Sequence, residues 1–181
     1  MSCVVGYVDN NVIYMGGDSA ATGEGTSDQR LRKSEKVFLL QGRNKTDVIV
    51  GFCGSYRIGY FLKHFFKIPV AGIKQEPQTY IYRSFVPDLE DQMVRNKIKL
   101  TGSEILVGFR GRLFLIEEDF SPTESMENYE ACGEGGPYAL GALYVLSKDD
   151  KYKPEEKVMM ALTASSMYCS VVRPPFKMVI R

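Results

Sequence analysis

Two short apolar segments separated by a polar turn open the chain, and this pattern constrains its fold more than any other. The segments are residues 4–8 and 12–17, and the turn is residues 9–11. Apolar runs on either side of a tight polar turn predict a β-hairpin. Because the first strand follows directly on Ser2, we expect it to hold a central position in a sheet rather than an exposed edge.

Length, composition and charge describe an ordinary globular chain. The 181 residues suit one domain, residues 1–181, with a substantial core, and 44% apolar with 25% charged residues are typical of globular proteins. A formal net charge of +1 favours neither nucleic acid nor an anionic membrane as a partner. No apolar run approaches the roughly 20 residues of a membrane-spanning helix, and no secretory signal pattern precedes the first strand. We therefore expect a cytoplasmic protein.

The four cysteines and the single histidine carry no recognisable site. Cys3, Cys53, Cys132 and Cys169 are scattered singly, without the spacing of metal ligands or of a disulfide framework. Free cysteine is commonly a small buried hydrophobe, so we expect four reduced, buried thiols. His64 falls on the polar side of a predicted helix with no partner motif. The sequence predicts neither a metal nor a cofactor.

The rest of the chain alternates predicted strands with predicted helices. Apolar runs and turn residues place further strands at residues 36–40, 48–53, 104–109, 112–116, 129–132 and 176–180. Helical spacing of apolar residues places helices at residues 55–67, 77–97 and 137–147, and a last one from residue 154 to the pair Pro174 and Pro175. Pro87 lies inside the second helix and should kink or split it. This pattern indicates the α+β class, built from layers of helices and sheets.

Ser2 carries the first candidate chemistry. Initiator methionine is normally removed before a small second residue, and its removal would leave Ser2 with a free α-amine. Such an amine has a pKa of about 7.7–8.0, so part of it is neutral near pH 7. A neutral amine beside a hydroxyl is a general base for a weak nucleophile. The alternative is that Met1 is retained, or that Ser2 is only the polar start of a strand.

Three motifs resemble those of proteasome β-type subunits and fall in the same order: Ser2 with the hairpin that ends in Gly-Asp-Ser-x-Ala-Thr at residues 17–22, then residues 51–55, then residues 133–139. They are equally similar to the proteasome-type component of the bacterial two-part ATP-dependent protease, and small proteasome-like proteins of bacteria and phages are nearest in kind. These proteins are N-terminal nucleophile hydrolases. The resemblance implies a four-layer αββα sandwich and a peptidase without a cofactor. It further implies peptide or unfolded-protein substrates, a homo-oligomeric ring and an ATPase unfoldase as partner.

The resemblance assigns roles to residues near the N-terminus. Ser2 aligns with the family's N-terminal threonine nucleophile. Asp18 aligns with the aspartate that pairs with a buried lysine beside that nucleophile. Lys36 is the first candidate for this lysine and Lys33 the alternative, and the ammonium would favour ionisation of the nucleophile. The other interpretation of Asp18 is a surface salt bridge of little consequence.

Two backbone positions complete the implied site. Gly54 aligns with the glycine whose N–H group binds the oxyanion, since a glycine lets the backbone approach a substrate closely. Thr22 aligns with a residue whose backbone pairs with an extended peptide substrate, a form of β-augmentation. For both residues ordinary turn chemistry is the alternative.

Two positions depart from the family pattern. Glu134 stands where the family has a serine that helps the terminal amine relay a proton, and Met167 stands where it has a supporting aspartate. Ser165, Ser166 and Ser170 lie close enough in sequence to supply a hydroxyl. Glu134 either orients the amine in place of the serine or raises its pKa and locks it as an ammonium. The second effect would abolish base function.

Three functions follow from these residues. The first is a self-compartmentalised peptidase that acts through Ser2. The second is a catalytically silent subunit that keeps the fold for assembly or partner binding. A non-peptide amidase ranks last, because no long insertion is present to build a small-molecule pocket. Homo-oligomerisation is expected in addition because Tyr80, Tyr82 and Phe85 give the second helix more apolar surface than one core face needs.

Overall fold

The side chains of the first strand alternate between two cores, and this alternation sets the layered architecture. In β1 (Val4–Asp9), Val4 faces a core between two sheets, whereas Val5 and Tyr7 face a core beneath helices. Successive residues of a strand point to opposite faces, so a strand that is apolar on both faces must be covered on both sides. The computed structural model of the protein describes residues 2–22 and 29–181.

The described residues form two larger antiparallel sheets and one short strand pair. The strands after β1 are β2 (Val12–Gly17), β3 (Ala20–Thr22), β4 (Gln29–Leu31), β5 (Val37–Gln41), β6 (Asp47–Cys53), β7 (Glu104–Phe109), β8 (Arg112–Ile116), β9 (Pro122–Glu124), β10 (Tyr129–Cys132) and β11 (Lys177–Ile180). The first sheet has the order β10-β1-β2-β11, the second has the order β5-β6-β7-β8-β9, and β3 pairs with β4. The central position predicted for the first strand is thus confirmed.

Helices cover the outer face of each sheet. They are α1 (Tyr56–His64), α2 (Pro77–Tyr80), α3 (Val86–Arg95), α4 (Gly136–Leu146) and α5 (Pro154–Tyr168). The first helix is shorter than the predicted 55–67: Ser55 is its N-cap and accepts a hydrogen bond from the N–H of Arg57. No helix among the described residues is long and apolar enough to cross a membrane.

Pro87 disturbs its helix without breaking it. A π-helical turn, Ile81–Phe85, joins α2 to α3, and the backbone remains helical through it. A proline inside a helix lacks an N–H donor and crowds the carbonyl four residues earlier. Widening the preceding turn is one way for a helix to absorb that defect. The irregularity predicted at Pro87 is present in this form.

Three apolar cores separate four layers. One core lies between α1, α2, α3 and the second sheet, one between α4, α5 and the first sheet, and one between the two sheets. Gly51 lets the sheets approach closely, because a Cβ atom there would collide with Val4 Cγ1. The layers therefore follow in the order αββα, as predicted.

The apolar surface expected on the second helix is only partly present. Tyr80 and Phe85 are fully buried in the core beneath α1, α2 and α3, so the sequence interpretation of these residues as surplus surface was wrong. Tyr82, the third residue of that prediction, is 36% exposed, and further large exposed apolar side chains lie on α4 and α5. They include Tyr138, Val145 and Tyr168, of which the two tyrosines stack on each other.

Candidate active site

A buried ion pair joins the end of β2 to the residue before β5. Lys36 Nζ lies 2.8 Å from Asp18 Oδ1, and both side chains are removed from solvent. The exposed side chain of Lys33 takes no part in this pair. Of the two lysines considered from the sequence, the geometry selects Lys36 as the partner of Asp18.

The same carboxylate holds the start of the chain. The N–H of Cys3, which belongs to the peptide bond after Ser2, donates to Asp18 Oδ1 over 3.0 Å. Ala20 N–H donates to Asp18 Oδ2 over 2.9 Å. Since Lys36 and the Ser2–Cys3 peptide share one carboxylate oxygen, the ammonium lies next to the backbone of Ser2.

Local sequence explains why these groups meet. The hairpin register places Val4 opposite Gly17, and one residue further on the N–H of Asp18 donates to the carbonyl of Cys3 over 3.2 Å. The carbonyl of Lys36 accepts a hydrogen bond from the N–H of Phe52 over 3.0 Å, which ties the residue before β5 to β6. The antiparallel pairing of each sheet therefore fixes both ends of the ion pair.

Ser2 is buried and is held from a second side by the turn between β10 and α4. Its carbonyl accepts the N–H of Gly135 over 3.1 Å. At Gly133, where φ is +84°, a Cβ atom would collide with the same carbonyl. The glycines of this turn thus allow its backbone to lie directly against Ser2.

An open cavity of about 460 Å³ lies beside this turn, with Gly54, Cys53, Gly133 and Glu134 in its lining. Two of the positions predicted from the sequence, Gly54 and Glu134, are therefore brought to one cavity. Gly54 has a φ of +100°, a conformation that favours glycine.

The cavity wall is acidic. Glu104, Glu117 and Glu118 line it together with Glu134. Glu104 accepts the N–H of Gly133 over 2.7 Å. Burial, followed by the charge of Glu104, raises the pKa of Glu117 above its ordinary value. The cavity therefore carries a negative potential next to Gly54.

Helix α5 contributes a serine and not the residue singled out by alignment. Ser165 is fully buried, and its Oγ donates to the carbonyl of Gly135 over 2.9 Å. Met167, which was aligned with the family's supporting aspartate, has a relative exposure of 72% and does not face the site. Ser166 donates to the carbonyl of Thr163 on the exposed side of the helix. Of the serines considered, the structure brings Ser165 to the turn that holds Ser2.

An aromatic side chain borders the ion pair. The ring centroid of Tyr56 lies 6.0 Å from Lys36 Nζ. Burial, then the charge of Asp18, raises the pKa of Tyr56 to about 12, so its hydroxyl stays protonated at neutral pH. Sequence patterns gave no signal for this residue beyond its place at the start of a helix.

Thr22 ends β3, whose only neighbouring strand among residues 2–22 and 29–181 is β4. Its Oγ1 is buried and has no hydrogen-bond partner in the described part of the chain. Residues 23–28, which follow Thr22, lie outside the described residues, as does Met1. His64 is exposed and contacts the ring of Tyr60.

The fold has close counterparts among solved structures, although the sequence matches no family model and no curated protein. BPH from Thiobacillus denitrificans gives a TM-score of 0.78 at 14% identity, over 99% of this chain and 97% of its own. The same protein has been solved in complex with epoxomicin. HslV from Trypanosoma brucei gives a TM-score of 0.68 at 16% identity, over 98% of each chain. Anbu from Pseudomonas aeruginosa, solved as a helical assembly, gives a TM-score of 0.65 at 13% identity, over 100% of this chain and 81% of its own.

These counterparts confirm the fold class predicted from the sequence resemblance. The chain shares the αββα fold of BPH, HslV and Anbu over nearly its whole length. At identities of 13–16% the similarity establishes the fold alone. What the site does has to be argued from its own residues.

Proposed function

We propose that the protein is a proteasome-like peptidase that hydrolyses peptide bonds through Ser2 after Met1 has been removed. The observation that carries this proposal is the buried Lys36–Asp18 pair, whose carboxylate also binds the N–H of Cys3. Withdrawing two charges from water is costly, and such a pair contributes little net stability. Its position against the second residue of the chain is accounted for by a role in activating that residue.

Each group has a part in amide hydrolysis. The α-amine of Ser2 accepts the proton of the Ser2 hydroxyl, whose oxygen attacks the substrate carbonyl. The Lys36 ammonium favours the developing alkoxide, and Asp18 fixes the ammonium. The N–H of Gly54 donates to the oxyanion. The tetrahedral intermediate then expels the amine, which takes the proton from the α-ammonium, and water hydrolyses the resulting ester.

Substrate binding follows from the strand pair beside the site. We place an extended peptide against β3, with hydrogen bonds to the backbone at Thr22. In this mode the site binds the main chain of the peptide more than its side chains. Such binding suits unfolded proteins and peptides of varied sequence. No cofactor takes part in this mechanism.

The proposal includes self-assembly. Exposed apolar side chains on α4 and α5 and the assembled state of the Anbu counterpart support a homo-oligomer, and a ring would enclose the sites. An ATPase unfoldase would then deliver folded substrates. The four cysteines are free thiols, which fits the reducing cytoplasm.

A catalytically silent subunit is the second candidate, and Glu134 favours it. A carboxylate at this turn stabilises an ammonium and would keep the α-amine protonated. The variant Glu134→Ser distinguishes the two roles that Glu134 could have at the α-amine. Activity that rises in the variant means that Glu134 suppresses the base, whereas activity that falls means that Glu134 orients it.

Three measurements on the purified full chain test the peptidase. Intact mass should show loss of one methionine; an epoxyketone should label Ser2; and unstructured peptides should be cleaved, with activity falling as pH drops through the pKa of the α-amine. Ser2→Ala should abolish labelling and cleavage, while Lys33→Ala should preserve both. A protein that retains Met1, or one that neither cleaves nor is labelled, would establish the silent subunit instead.

A further inference from the structure

Two cysteines from different sheets meet at the end of the inter-sheet core. Cys53 is the last residue of β6 and Cys132 the last residue of β10. Their sulfur atoms lie 3.4 Å apart, and both side chains are buried. A disulfide needs an S–S distance of about 2.0 Å, so the sulfurs have to approach by about 1.4 Å. The residues that follow them, Gly54 and Gly133, both have positive φ and end the strands, so the approach involves strand ends and not strand centres.

The two thiols differ in what surrounds them. Cys53 lines the open cavity of about 460 Å³, which gives a small polar oxidant access to its sulfur. Cys132 does not line that cavity, and its hydrogen bond with Cys53, followed by burial, raises the pKa of its thiol. Cys53 is therefore the sulfur that an oxidant reaches first, and Cys132 is the neighbour that resolves the product.

We propose that Cys53 and Cys132 form a peroxide-oxidised dithiol that becomes a disulfide between the two sheets. In the first step the Cys53 sulfur attacks one oxygen of hydrogen peroxide, the O–O bond breaks, and the departing hydroxide takes the thiol proton as water. Cys53 is left as a sulfenic acid. In the second step the Cys132 sulfur attacks the Cys53 sulfur, the S–O bond breaks, and the hydroxyl leaves with the Cys132 proton as water. Two thiols and one peroxide give one disulfide and two waters.

The disulfide would act on the candidate site through the glycines that follow each cysteine. Gly54 is the proposed oxyanion donor, and Gly133 lies directly against the carbonyl of Ser2. Drawing the two strand ends together shifts these two backbones relative to Ser2. A displacement of about 1 Å at a reacting group can cost about 100-fold in rate. Oxidation is thus a reversible off-switch, and this consequence for activity rests on the proposed peptidase function.

The experiment treats the purified full chain with hydrogen peroxide and then with a dithiol reductant. Mass spectrometry should show loss of two hydrogens, and peptide mapping should link Cys53 to Cys132. Peptide cleavage should fall about 100-fold on oxidation and return on reduction. No disulfide, or a disulfide that involves Cys3 or Cys169, overturns the proposal. A mapped Cys53–Cys132 disulfide in a protein without peptidase activity upholds the dithiol and overturns the peptidase, so the two failures are distinct.

Variants assign the two sulfurs. Cys132→Ala should stop at the sulfenic acid, which a dimedone-type reagent traps at Cys53. Cys53→Ala should give neither adduct nor disulfide, and its activity should resist peroxide. Cys169→Ala is the matched control: Cys169 is also buried but lies at the end of α5 in another core, so this variant should oxidise as the wild type does. A trapped adduct on Cys132 in the Cys53→Ala variant would reverse the assignment and contradict the access argument.

Discussion

Asp18 connects three separate segments of the chain through one carboxylate. It accepts the backbone N–H groups of Cys3 and Ala20 and the ammonium of Lys36. A buried charge is tolerated when it is paired and its remaining lone pairs are occupied. The family resemblance implied the Asp18–Lys36 contact, which joins the two sheets. The bond from the Cys3 N–H follows instead from the β1–β2 hairpin register within the first sheet.

Removing one partner of this pair should be costly for stability as well as for activity. Lys36→Ala leaves an unpaired carboxylate in the core, and we expect a loss of about 3–5 kcal/mol in the free energy of unfolding, measured by urea denaturation. The double variant Asp18→Ala, Lys36→Ala should lose less than the sum of the single losses. Lys33→Ala, at an exposed position, should stay within about 0.5 kcal/mol of wild type. Equal losses for Lys33 and Lys36 would contradict a special role for the buried pair.

Ser165 should position Ser2 without touching substrate. Its Oγ holds the carbonyl of Gly135, whose N–H binds the carbonyl of Ser2. Ser165→Ala removes this hydrogen bond while the carbonyl of Gly135 still accepts the N–H of Ala139 over 3.2 Å, so we expect a cost of about 0.5–1.5 kcal/mol in stability. In the peptidase assay we expect kcat to fall with KM little changed, and Ser165→Thr should restore part of kcat. Ser166→Ala, at a hydroxyl that faces away from the site, is the control.

The sequence offered Ser165 together with Ser166 and Ser170 without choosing among them, and it placed the supporting position at Met167. Ser165 and Met167 are two residues apart, and two residues of an α-helix turn the side chain by about 200°. An error of that size exchanges the buried face for the exposed one. The stripe of buried residues on α5, which includes Val158, Ala161 and Leu162, carries the better signal, because Ser165 continues that stripe.

At the scale of elements, pattern length decided what could be predicted. The β1–β2 and β7–β8 hairpins were identified from apolar runs of five or six residues around tight turns. The strands β3, β4 and β9 have three residues each, which is too short for an alternating pattern to stand out. Their pairing is imposed by neighbouring elements, so it becomes visible only in the folded chain.

Two glycines should respond to alanine in opposite ways. At Gly54 a Cβ atom would collide with Ser103 Oγ, and φ is +100°, so Gly54→Ala should destabilise the protein by at least about 1–2 kcal/mol. Gly141 lies inside α4 with open space around its Cα. Gly141→Ala should raise the free energy of unfolding by about 1 kcal/mol. Urea denaturation of both variants measures the difference, and a neutral Gly54→Ala would show that the turn after β6 is not constrained.

At the scale of the whole molecule, the layers follow from strands that are apolar on both faces, and that property was legible in the sequence. The sequence did not indicate which surface of the layered molecule contacts another copy. Tyr80 and Phe85 were counted as surface because helical spacing alone does not show how wide the core beneath a helix is. They pack against Phe66 and Phe109 instead.

The α4–α5 face, formed by Tyr138, Val145 and Tyr168, is where we expect self-association. Tyr138 and Val145 are seven residues apart on one side of α4, and the ring of Tyr168 stacks on that of Tyr138. Exposed contiguous apolar surface of this kind marks interaction sites. Sedimentation velocity at micromolar concentration should therefore show a species larger than one chain.

Val145→Glu should shift that species toward the monomer, because burying an unpaired carboxylate in an apolar interface costs more than such an interface gains per side chain. Val145 is 66% exposed in the single chain, so the fold itself should tolerate the change, as circular dichroism would verify. The control is Ile73→Glu, which places the same charge at a side chain that is 90% exposed in the loop before α2 and should leave sedimentation unchanged. A wild-type monomer would refute assembly altogether. An oligomer that is unaffected by Val145→Glu would show that the interface lies on another surface.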